Sequence, residues 1–287
     1  GVGLAGCSNN EDELLSTGSF PEDHVIRIIT EVNEPLSRAG YDVTNLERFG
    51  LMIRNSENAA YNYHKQMVSS GNAWSTSDGQ QMLWDAERTP VTMIAYAPYM
   101  SEAAPDASLA VNALTNQTTE ENVKSSDFLL MKATVDPEQD LTADGKLKIS
   151  LSHAMSKLLI KITVNGTTDA AMNKLGDMSI NGAVVNGICD LSATVPIVVP
   201  APDAVVATVA PYKGTESCEC ILPPQKIAEG FSVNFSYDGK LYIWTAKEAI
   251  ELEKGVEHTL TLNVNTTVRL AAKMARNWAT GQLIDRN

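Results

Sequence analysis

The amino-acid sequence predicts an all-β protein with two β-sandwich domains in tandem. Apolar and polar residues alternate over many short runs, which is the period of a half-buried strand. Clusters of Gly, Pro, Asn and Asp separate these runs, as turns do between strands. A chain of 287 residues with 44% hydrophobic and 20% charged residues is long enough for two domains and too apolar for wholesale disorder.

The first predicted strand occupies residues 25–32, with the sequence VIRIITEV. In the following NEPLSRAG, Pro35 and Gly40 indicate a turn. Alternation places four side chains of the strand on one face: Ile26, Ile28, Thr30 and Val32. Further strands of an N-terminal domain, residues 25–170, are predicted at 48–53, 60–68, 80–86, 91–99, 127–135 and, as a long pair, 146–165.

A second series of strands predicts a C-terminal domain at residues 171–265. Its strongest hairpin signal is Asp238-Gly239, because Asp-Gly suits the positive φ of a tight primed turn. The polar stretch 166–175 separates the two domains. Strands of the second series are predicted at 178–191, 194–199, 204–212, 216–225, 231–246 and 258–264.

The C-terminal tail, residues 266–287, has two interpretations. Alternation over residues 268–274 is typical of a strand. A helical stripe could instead be formed by Ala271, Ala272, Ala275 and Trp278. Periodicity alone does not decide between strand and helix.

The charge of the chain argues against nucleic-acid binding. The formal net charge is −13, from 22 Lys and Arg against 35 Asp and Glu, and phosphate contacts need concentrated positive charge. No apolar run approaches the roughly 20 residues that a membrane-spanning helix needs. Membrane attachment would therefore be covalent or through a partner.

The N-terminal GVGLAGCSNNEDE combines small residues, a cysteine and an acidic run. The spacing of Gly1, Gly3 and Gly6 matches a dinucleotide-binding fingerprint, but the polar residues after Cys7 do not continue as the helix which that motif requires. The sequence LAGC resembles a bacterial lipobox, in which the cysteine thiol is lipidated. Residues 1–24 are therefore predicted to be a lipoprotein signal end and tether with Cys7 as the lipidation site. An ordinary small-residue turn with a stray thiol is the alternative.

Residues that could carry catalysis or bind a metal are scattered along the sequence. Besides Cys7, the odd set of Cys189, Cys218 and Cys220 leaves at least one thiol unpaired, and the last two alternate as a small buried pair. The histidines stand singly, so no metal site is predicted, and His153 is expected to be a hydrogen-bonded structural residue. Acyl-transfer and phosphate-loop motifs are missing from the sequence, which predicts neither an enzyme nor a cofactor.

Several segments, in order, resemble the fimbrillins, the pilin subunits of type V pili in Bacteroidales. After the lipobox cysteine come Ser37-Arg38-Ala39, LERFGLMI, MLWDAERTPVTMIAYAPY, DFLLMKA and LSHAMSKLLIKITVN. The second half adds CDL, ECILPPQ, KLYIWTA and VEHTLTLNV. The resemblance covers residues 4–278, and the order and spacing of the pieces carry it.

The fimbrillin resemblance implies two transthyretin-like β-sandwich domains, in agreement with the strand count. It also implies a structural subunit of a cell-surface fimbrium with a role in adhesion and biofilm formation, exported as an acylated (palmitate-type) lipoprotein precursor to the outer membrane. An arginine-specific maturation protease would remove the first strand, and a donor strand from another copy or another pilus subunit would replace it. These subunits, the protease, the membrane lipid and a host or bacterial surface ligand are the implied partners.

Two segments are the predicted sites of this exchange. Cleavage is predicted between Arg38 and Ala39, which lie in a turn-rich connection where proteases find flexible backbone. Losing the strand at 25–32 would leave an unpaired sheet edge that strand addition can repair. The donor strand is predicted within 267–278, with Val268, Leu270, Ala272 and Met274 as its inward side chains.

A second function hypothesis stays open. The alanines of the tail have small volume and good helix propensity, and a helical tail would fit a capped or accessory subunit better than a polymerising one. The chain would then be a monomeric surface lipoprotein, or a pilus tip or anchor adhesin, that binds a glycan or a host protein through its loops.

Overall fold

The computed structural model describes residues 19–33, 40–42, 44–71, 73–166, 168–265, 270–276 and 283–286, the last two segments by their backbone alone. The regular structure of these residues is almost entirely β, as predicted. An α-helix, α1 (Glu120–Ser126), begins after its N-cap Thr119, whose hydroxyl accepts a hydrogen bond from the Asn122 N–H. Short 3-10 turns occur at Ala59–Tyr61 and Met172–Lys174.

The first half of the chain builds a seven-stranded sheet. Its strands are β1 Ile28–Val32, β2 Arg48–Arg54, β3 Tyr63–Ser70, β4 Ala73–Thr76, β5 Val91–Ala97, β7 Leu129–Val135 and β8 Leu147–His153. The strand between β5 and β7 in the chain, β6 Ser108–Asn112, belongs to another sheet. The spatial order is β1-β8-β7-β5-β2-β3-β4, with β1 parallel to β8 and the other pairs antiparallel. The long connection between the parallel β1 and β8 therefore contains the rest of this sheet.

The two edges of this sheet approach each other. The Trp74 indole N–H on β4 donates to the Thr30 hydroxyl on β1 at 3.1 Å. Phe49, Met93 and Ile149 lie in the hydrophobic core that the curled sheet encloses, and each is fully buried. The first strand is thus held by contacts from both ends of the sheet.

The second half of the chain continues with shorter strands. Their bounds are β9 Ser156–Val164, β10 Thr168–Asp169, β11 Leu175–Val184, β12 Asn186–Asp190, β13 Val198–Pro200, β14 Val206–Val209, β15 Tyr212–Lys213, β16 Cys218–Leu222, β17 Gln225–Ile227, β18 Ser232–Tyr237, β19 Lys240–Thr245, β20 Ile250–Leu252, β21 Glu257–Val264, β22 Leu270–Arg276 and β23 Leu283–Arg286.

Two sheets of the second half enclose a second core. One has the order β15-β16-β9-β21-β22-β23, with β10 beside β9, and the other has the order β14-β11-β18-β19. Ile160, Leu260 and Phe235 come from both sheets and are buried in one hydrophobic cluster. Two small sheets, β13-β12-β6 and β17-β20, complete the architecture in the described part of the chain.

Most of the predicted strands are present, although β4 and β6 were not predicted and the predicted strand 178–191 is divided between β11 and β12 of two sheets. Two further differences concern the first half of the chain. The segment 80–86 makes only a bridge between Leu83 and Val25, because it lies beside the start of the first strand rather than in a ladder. The predicted pair 146–165 is divided at Ala154 and Met155, where β8 ends in one sheet and β9 begins in another.

The hairpin at Asp238-Gly239 is confirmed, with φ of 50° and 80° at the two residues. The choice between strand and helix for the tail is also settled over residues 270–276, where β22 is a strand that pairs antiparallel with β21.

The division into two domains stays a prediction. β9 pairs with β16 and β21 of the second half, which favours a boundary near residues 154–155 over the predicted 166–175. β6 pairs with β12, so a strand of the first half also joins the second. None of the helices in the described part of the chain has the length and hydropathy of a membrane span.

Substitution of a single glycine in β2 tests the packing of the N-terminal sheet. Gly50 lies opposite Tyr96, and a Cβ at Gly50 would come within 2.3 Å of the fully buried Tyr96 ring. Gly50→Ala should therefore lower the free energy of unfolding by ~1–3 kcal/mol, as overpacking does. Chemical denaturation measures this, and the cost should shrink in a Tyr96→Leu background; equal costs in both backgrounds would contradict the clash.

Candidate functional site

The candidate site is the groove that holds β1 at the edge of the N-terminal sheet. Residues 28–32 pair in parallel with residues 147–151 of β8. Beyond the strand, the Asn33 N–H donates to the Leu151 carbonyl at 2.9 Å. The predicted first strand is thus confirmed as a strand, and it begins at Ile28.

The residues just before β1 form backbone hydrogen bonds with the segment 82–84. The Ile26 N–H donates to the Met82 carbonyl at 2.9 Å, and the Trp84 N–H donates to the His24 carbonyl at 2.8 Å. The segment from residue 24 onwards therefore lies between the 82–84 segment and β8, with backbone hydrogen bonds to each.

The side chains of the first strand alternate as the sequence predicts. Ile26, Ile28 and Val32 are buried in the core at 6%, 8% and 5% exposure. Thr30 is half-buried and uses its hydroxyl to accept the Trp74 hydrogen bond. The structure therefore brings together the four side chains that were predicted to share one face.

A cleft of about 500 Å³ separates the beginning of the first strand from β4. Its walls are mainly apolar near Ile26 and Trp74, with Arg27, Gln80 and Lys146 at polar positions. On the outer face, the Glu31 carboxylate accepts a hydrogen bond from the Ser150 hydroxyl and lies 3.4 Å from the Lys148 ammonium. The β1 edge thus has space beside it as well as specific polar contacts.

The predicted cleavage site, Arg38 and Ala39, lies outside the described residues. Immediately after it, the Tyr41 N–H donates to the Asp127 carboxylate at 2.9 Å. Asp127 is 1% exposed, and its carboxylate also lies 3.0 Å from His153 Nδ1. The expectation that His153 is a hydrogen-bonded structural residue is confirmed.

The electrostatics of Asp127 result from opposing effects. Burial by itself raises the pKa of the carboxyl, but the charge of His153, hydrogen bonds from His153 and Tyr41, and the charge of Lys157 together lower the pKa below its usual value. The carboxylate is therefore ionised at neutral pH. Sequence reasoning identified His153 and missed Asp127, because their pairing becomes visible only when β7 and β8 are neighbours.

The three described cysteines are buried free thiols. Burial raises the pKa of Cys189 to about 11 and of Cys218 to about 12, and it raises the pKa of Cys220 further. This suits the prediction that Cys218 and Cys220 form a small buried pair. The predicted lipidation site, Cys7, lies outside the described residues.

Within the described residues, no group of three or more His, Cys, Asp or Glu side chains is close enough to hold an ion.

The predicted donor residues lie on or beside β22. Val268 lies outside the described residues, whereas the backbones of Leu270, Ala272 and Met274 pair with Val264, Leu262 and Leu260 of β21. β22 also pairs with β23 on its other side. In the isolated chain, therefore, the candidate donor strand occupies a place in its own second sheet.

A second candidate site is a cavity of about 310 Å³ between the chain after residue 40, β2, β3 and α1. The ordinary range for ligand sites begins near this volume. Tyr41 and Tyr99 provide aromatic surface, and charges of both signs surround them. The polar lining includes Glu47, Arg48, Gln66, Glu121 and Lys124.

Comparison with known proteins identifies the family. A family model described as fimbrillin-like matches residues 37–277. The chain belongs to the fimbrillin-like family. The matched region begins next to Arg38, so β1 lies before it. No curated protein matches the sequence.

Solved structures of Bacteroides proteins share this fold. A candidate cell adhesion protein of Bacteroides ovatus has a TM-score of 0.69 at 16% identity, over 92% of this chain and 98% of that chain. A candidate cell adhesion protein of Bacteroides uniformis has a TM-score of 0.66 at 15% identity, over 92% and 99%. A fimbrial protein of Bacteroides vulgatus has a TM-score of 0.53 at 14% identity, over 88% and 99%. At these identities the likeness concerns the fold.

Ionised Asp127 predicts a pH-dependent contribution to stability. Because its pKa is lower in the folded chain than the unfolded value of about 3.9, its contribution is fully present above that value and is lost as pH falls through the folded pKa. Asp127→Ala should therefore cost ~3 kcal/mol at pH 7, since it leaves the polar groups around it without their acceptor.

Urea denaturation of wild type and Asp127→Ala from pH 7 down to pH 3 measures this contribution. The difference between the two proteins should narrow only below about pH 4. A difference that stays constant over the whole range would contradict the role given to the carboxylate charge.

Proposed function

We propose that this fimbrillin-like protein is a structural subunit of a cell-surface pilus that polymerises by donor-strand exchange. It is exported as a lipoprotein precursor, cleaved after Arg38, and completed by a strand of another copy or another pilus subunit. Membership of the fimbrillin-like family supports the pilus or adhesin role. A contribution to adhesion and biofilm formation is part of the same proposal. The role is structural rather than catalytic.

The observation that carries this proposal is the position of β1. It is an edge strand with backbone pairing to β8 and three buried aliphatic side chains, Ile26, Ile28 and Val32. Removing it would expose both an unpaired ladder and an apolar slot, which sheets normally avoid. Strand addition restores both kinds of contact at once.

The magnitude of this restoration is sufficient for a persistent polymer. Three aliphatic side chains at ~1.5–3 kcal/mol each contribute about 5–9 kcal/mol before the cost of ordering the donor. The ladder hydrogen bonds along residues 28–32 add specificity of register.

The tail is the proposed donor, with Val268, Leu270, Ala272 and Met274 as the residues that enter the slot. β22 pairs with β21 in the isolated chain, so donation requires this pairing to open. The small volume of Ala272 makes it the weakest of the four contacts. The outer membrane is the proposed location of the precursor, with Cys7 carrying the lipid.

An arginine-specific protease tests the proposal. Digestion of the purified precursor should give a product that begins at Ala39 and, with time, a ladder of oligomers that survives mild detergent. Arg38→Ala should remain uncut at this position and monomeric. Deleting residues 266–287 should leave cleavage intact and abolish the ladder, because the slot then lacks its donor.

Mass spectrometry of the products and detergent electrophoresis provide the measurements. A wild-type product that is cut after Arg38 but stays monomeric at high concentration would argue against polymerisation. A ladder that persists in the tail-deleted protein would place the donor elsewhere.

The cavity beside α1 favours a second candidate function, adhesion by binding a glycan. Tyr99 offers a ring for a sugar face, and Arg48 and Gln66 offer hydrogen-bond donors around it. A mixed aromatic and polar wall of this kind fits a carbohydrate better than an apolar ligand. This function needs no cleavage, and it suits a tip or anchor subunit as well as a monomer.

Binding to an array of mammalian and bacterial oligosaccharides tests the second function. Tyr99→Ala and Arg48→Ala should each weaken binding about tenfold or more, since each removes contacts worth ~1–3 kcal/mol. Leu241→Ala, at an exposed position on β19, should leave binding unchanged. Wild-type protein that binds nothing on the array, or variants that bind as wild type, would exclude the cavity as a glycan site.

A further inference from the structure

The chain immediately after the predicted cut is attached to the buried Asp127. The Tyr41 N–H donates to Asp127 Oδ2 at 2.9 Å. Gly40 has a φ of +101°, and a Cβ at this position would stand 3.1 Å from the same oxygen. Glycine thus allows both the backbone conformation and the close approach to the carboxylate.

Residues 40–42 and 44–46, here called the anchor segment, are folded on themselves as well. The Asn45 side-chain amide donates to the Gly40 carbonyl at 2.7 Å, and the Asp42 carboxylate accepts from the Thr44 and Asn45 N–H groups. Tyr41 and Leu46 are buried at 7% and 5% exposure. The segment therefore has a local structure of its own, and Asp127 attaches its first residues to the rest of the molecule.

The anchor lies at the end of the groove where β1 ends. Val32 pairs with Leu151, and the Asn33 side-chain amide donates to the Ser152 hydroxyl at 2.6 Å. The next residue of β8, His153, binds Asp127. The strand that would leave and the segment that would remain are thus attached to adjacent residues of β8, through separate hydrogen bonds.

We propose that Asp127 is a positioning residue for maturation, which fastens the anchor segment so that it stays folded beside the groove when the first strand leaves. This inference rests on the proposed cleavage after Arg38. Cleavage after Arg38 separates the chain before Ala39, and among the described residues the bond from Tyr41 to Asp127 then lies close to the new N-terminus. A fixed anchor segment keeps this end of the groove in shape for the incoming strand.

Hydrogen exchange of the peptide that covers the anchor segment tests the proposal, before and after digestion with an arginine-specific protease. Wild type should remain protected in both states. Asp127→Ala should exchange about tenfold faster or more, because a charge-assisted hydrogen bond has been removed. Asp85→Ala is the matched control, since Asp85 is also buried and bound to Asn55 and Thr89 but lies away from the anchor.

A second pair of variants separates positioning from general stability. Gly40→Ala should displace the segment from Asp127, because its Cβ would crowd Asp127 Oδ2, while the side chains of Asp127 and His153 both remain in the protein. Gly230→Ala is its control, because Gly230 also has a positive φ, +85°, but has open space at its Cβ. After digestion, capture of a labelled peptide of residues 266–287 should be about tenfold slower in Gly40→Ala than in Gly230→Ala.

The outcomes separate this inference from the function on which it rests. Wild type that is not cut after Arg38 would reject the proposed maturation, while exchange in the intact chain still tests the attachment to Asp127. If the anchor segment of both Asp127→Ala and Gly40→Ala is as protected from hydrogen exchange as that of wild type, the proposed attachment to Asp127 is wrong. Normal peptide capture by Gly40→Ala, with its anchor segment unprotected, would overturn the positioning role.

Discussion

The pairing of β1 with β8 is the contact on which the rest of the N-terminal sheet depends. It satisfies the outer backbone groups of β8, and it places Ile26, Ile28 and Val32 in the core that the curled sheet encloses. The same strand reaches the opposite edge through the hydrogen bond between Trp74 and Thr30. One short segment near the start of the chain therefore completes a core built mostly from later residues. A segment with so many native contacts is normally retained. If it is removed, a replacement strand must supply both the backbone pairing with β8 and the apolar side chains of the core.

A buried polar layer lies on the second-half sheet, outside its hydrophobic core. The side chain of Lys157 is wholly buried, and its ammonium lies 3.1 Å from the Glu219 carboxylate. The charge of Lys157 also helps to lower the pKa of Asp127. Buried ion pairs contribute little net stability, because desolvation offsets their attraction. Removing one partner is nevertheless costly, because the remaining charge is then buried without compensation. The bond from Tyr41 to Asp127 therefore belongs to a region that also holds the buried charges of Lys157 and Glu219.

The sequence predicted most of the strands but not which strands pair with each other. Alternation around Ile28 predicted the first strand, and Asp238-Gly239 predicted a hairpin, because both signals are local. Met82 and Trp84 also alternate, but their segment binds the chain before β1 and forms no regular ladder. No local pattern could reveal the bond between Asp127 and Tyr41, which joins residues 86 positions apart. Candidate sites assembled from distant elements need the tertiary structure.

The direction of β1 has a thermodynamic consequence for any segment that replaces it. β1 runs parallel to β8, and parallel ladders are slightly less stable per residue than antiparallel ones, with slanted rather than perpendicular hydrogen bonds. A strand from a different molecule has no covalent connection that dictates its orientation, so it is free to enter with the opposite polarity. Antiparallel entry would add this difference in ladder stability to the assembly, separately from the apolar surface that the donor side chains cover.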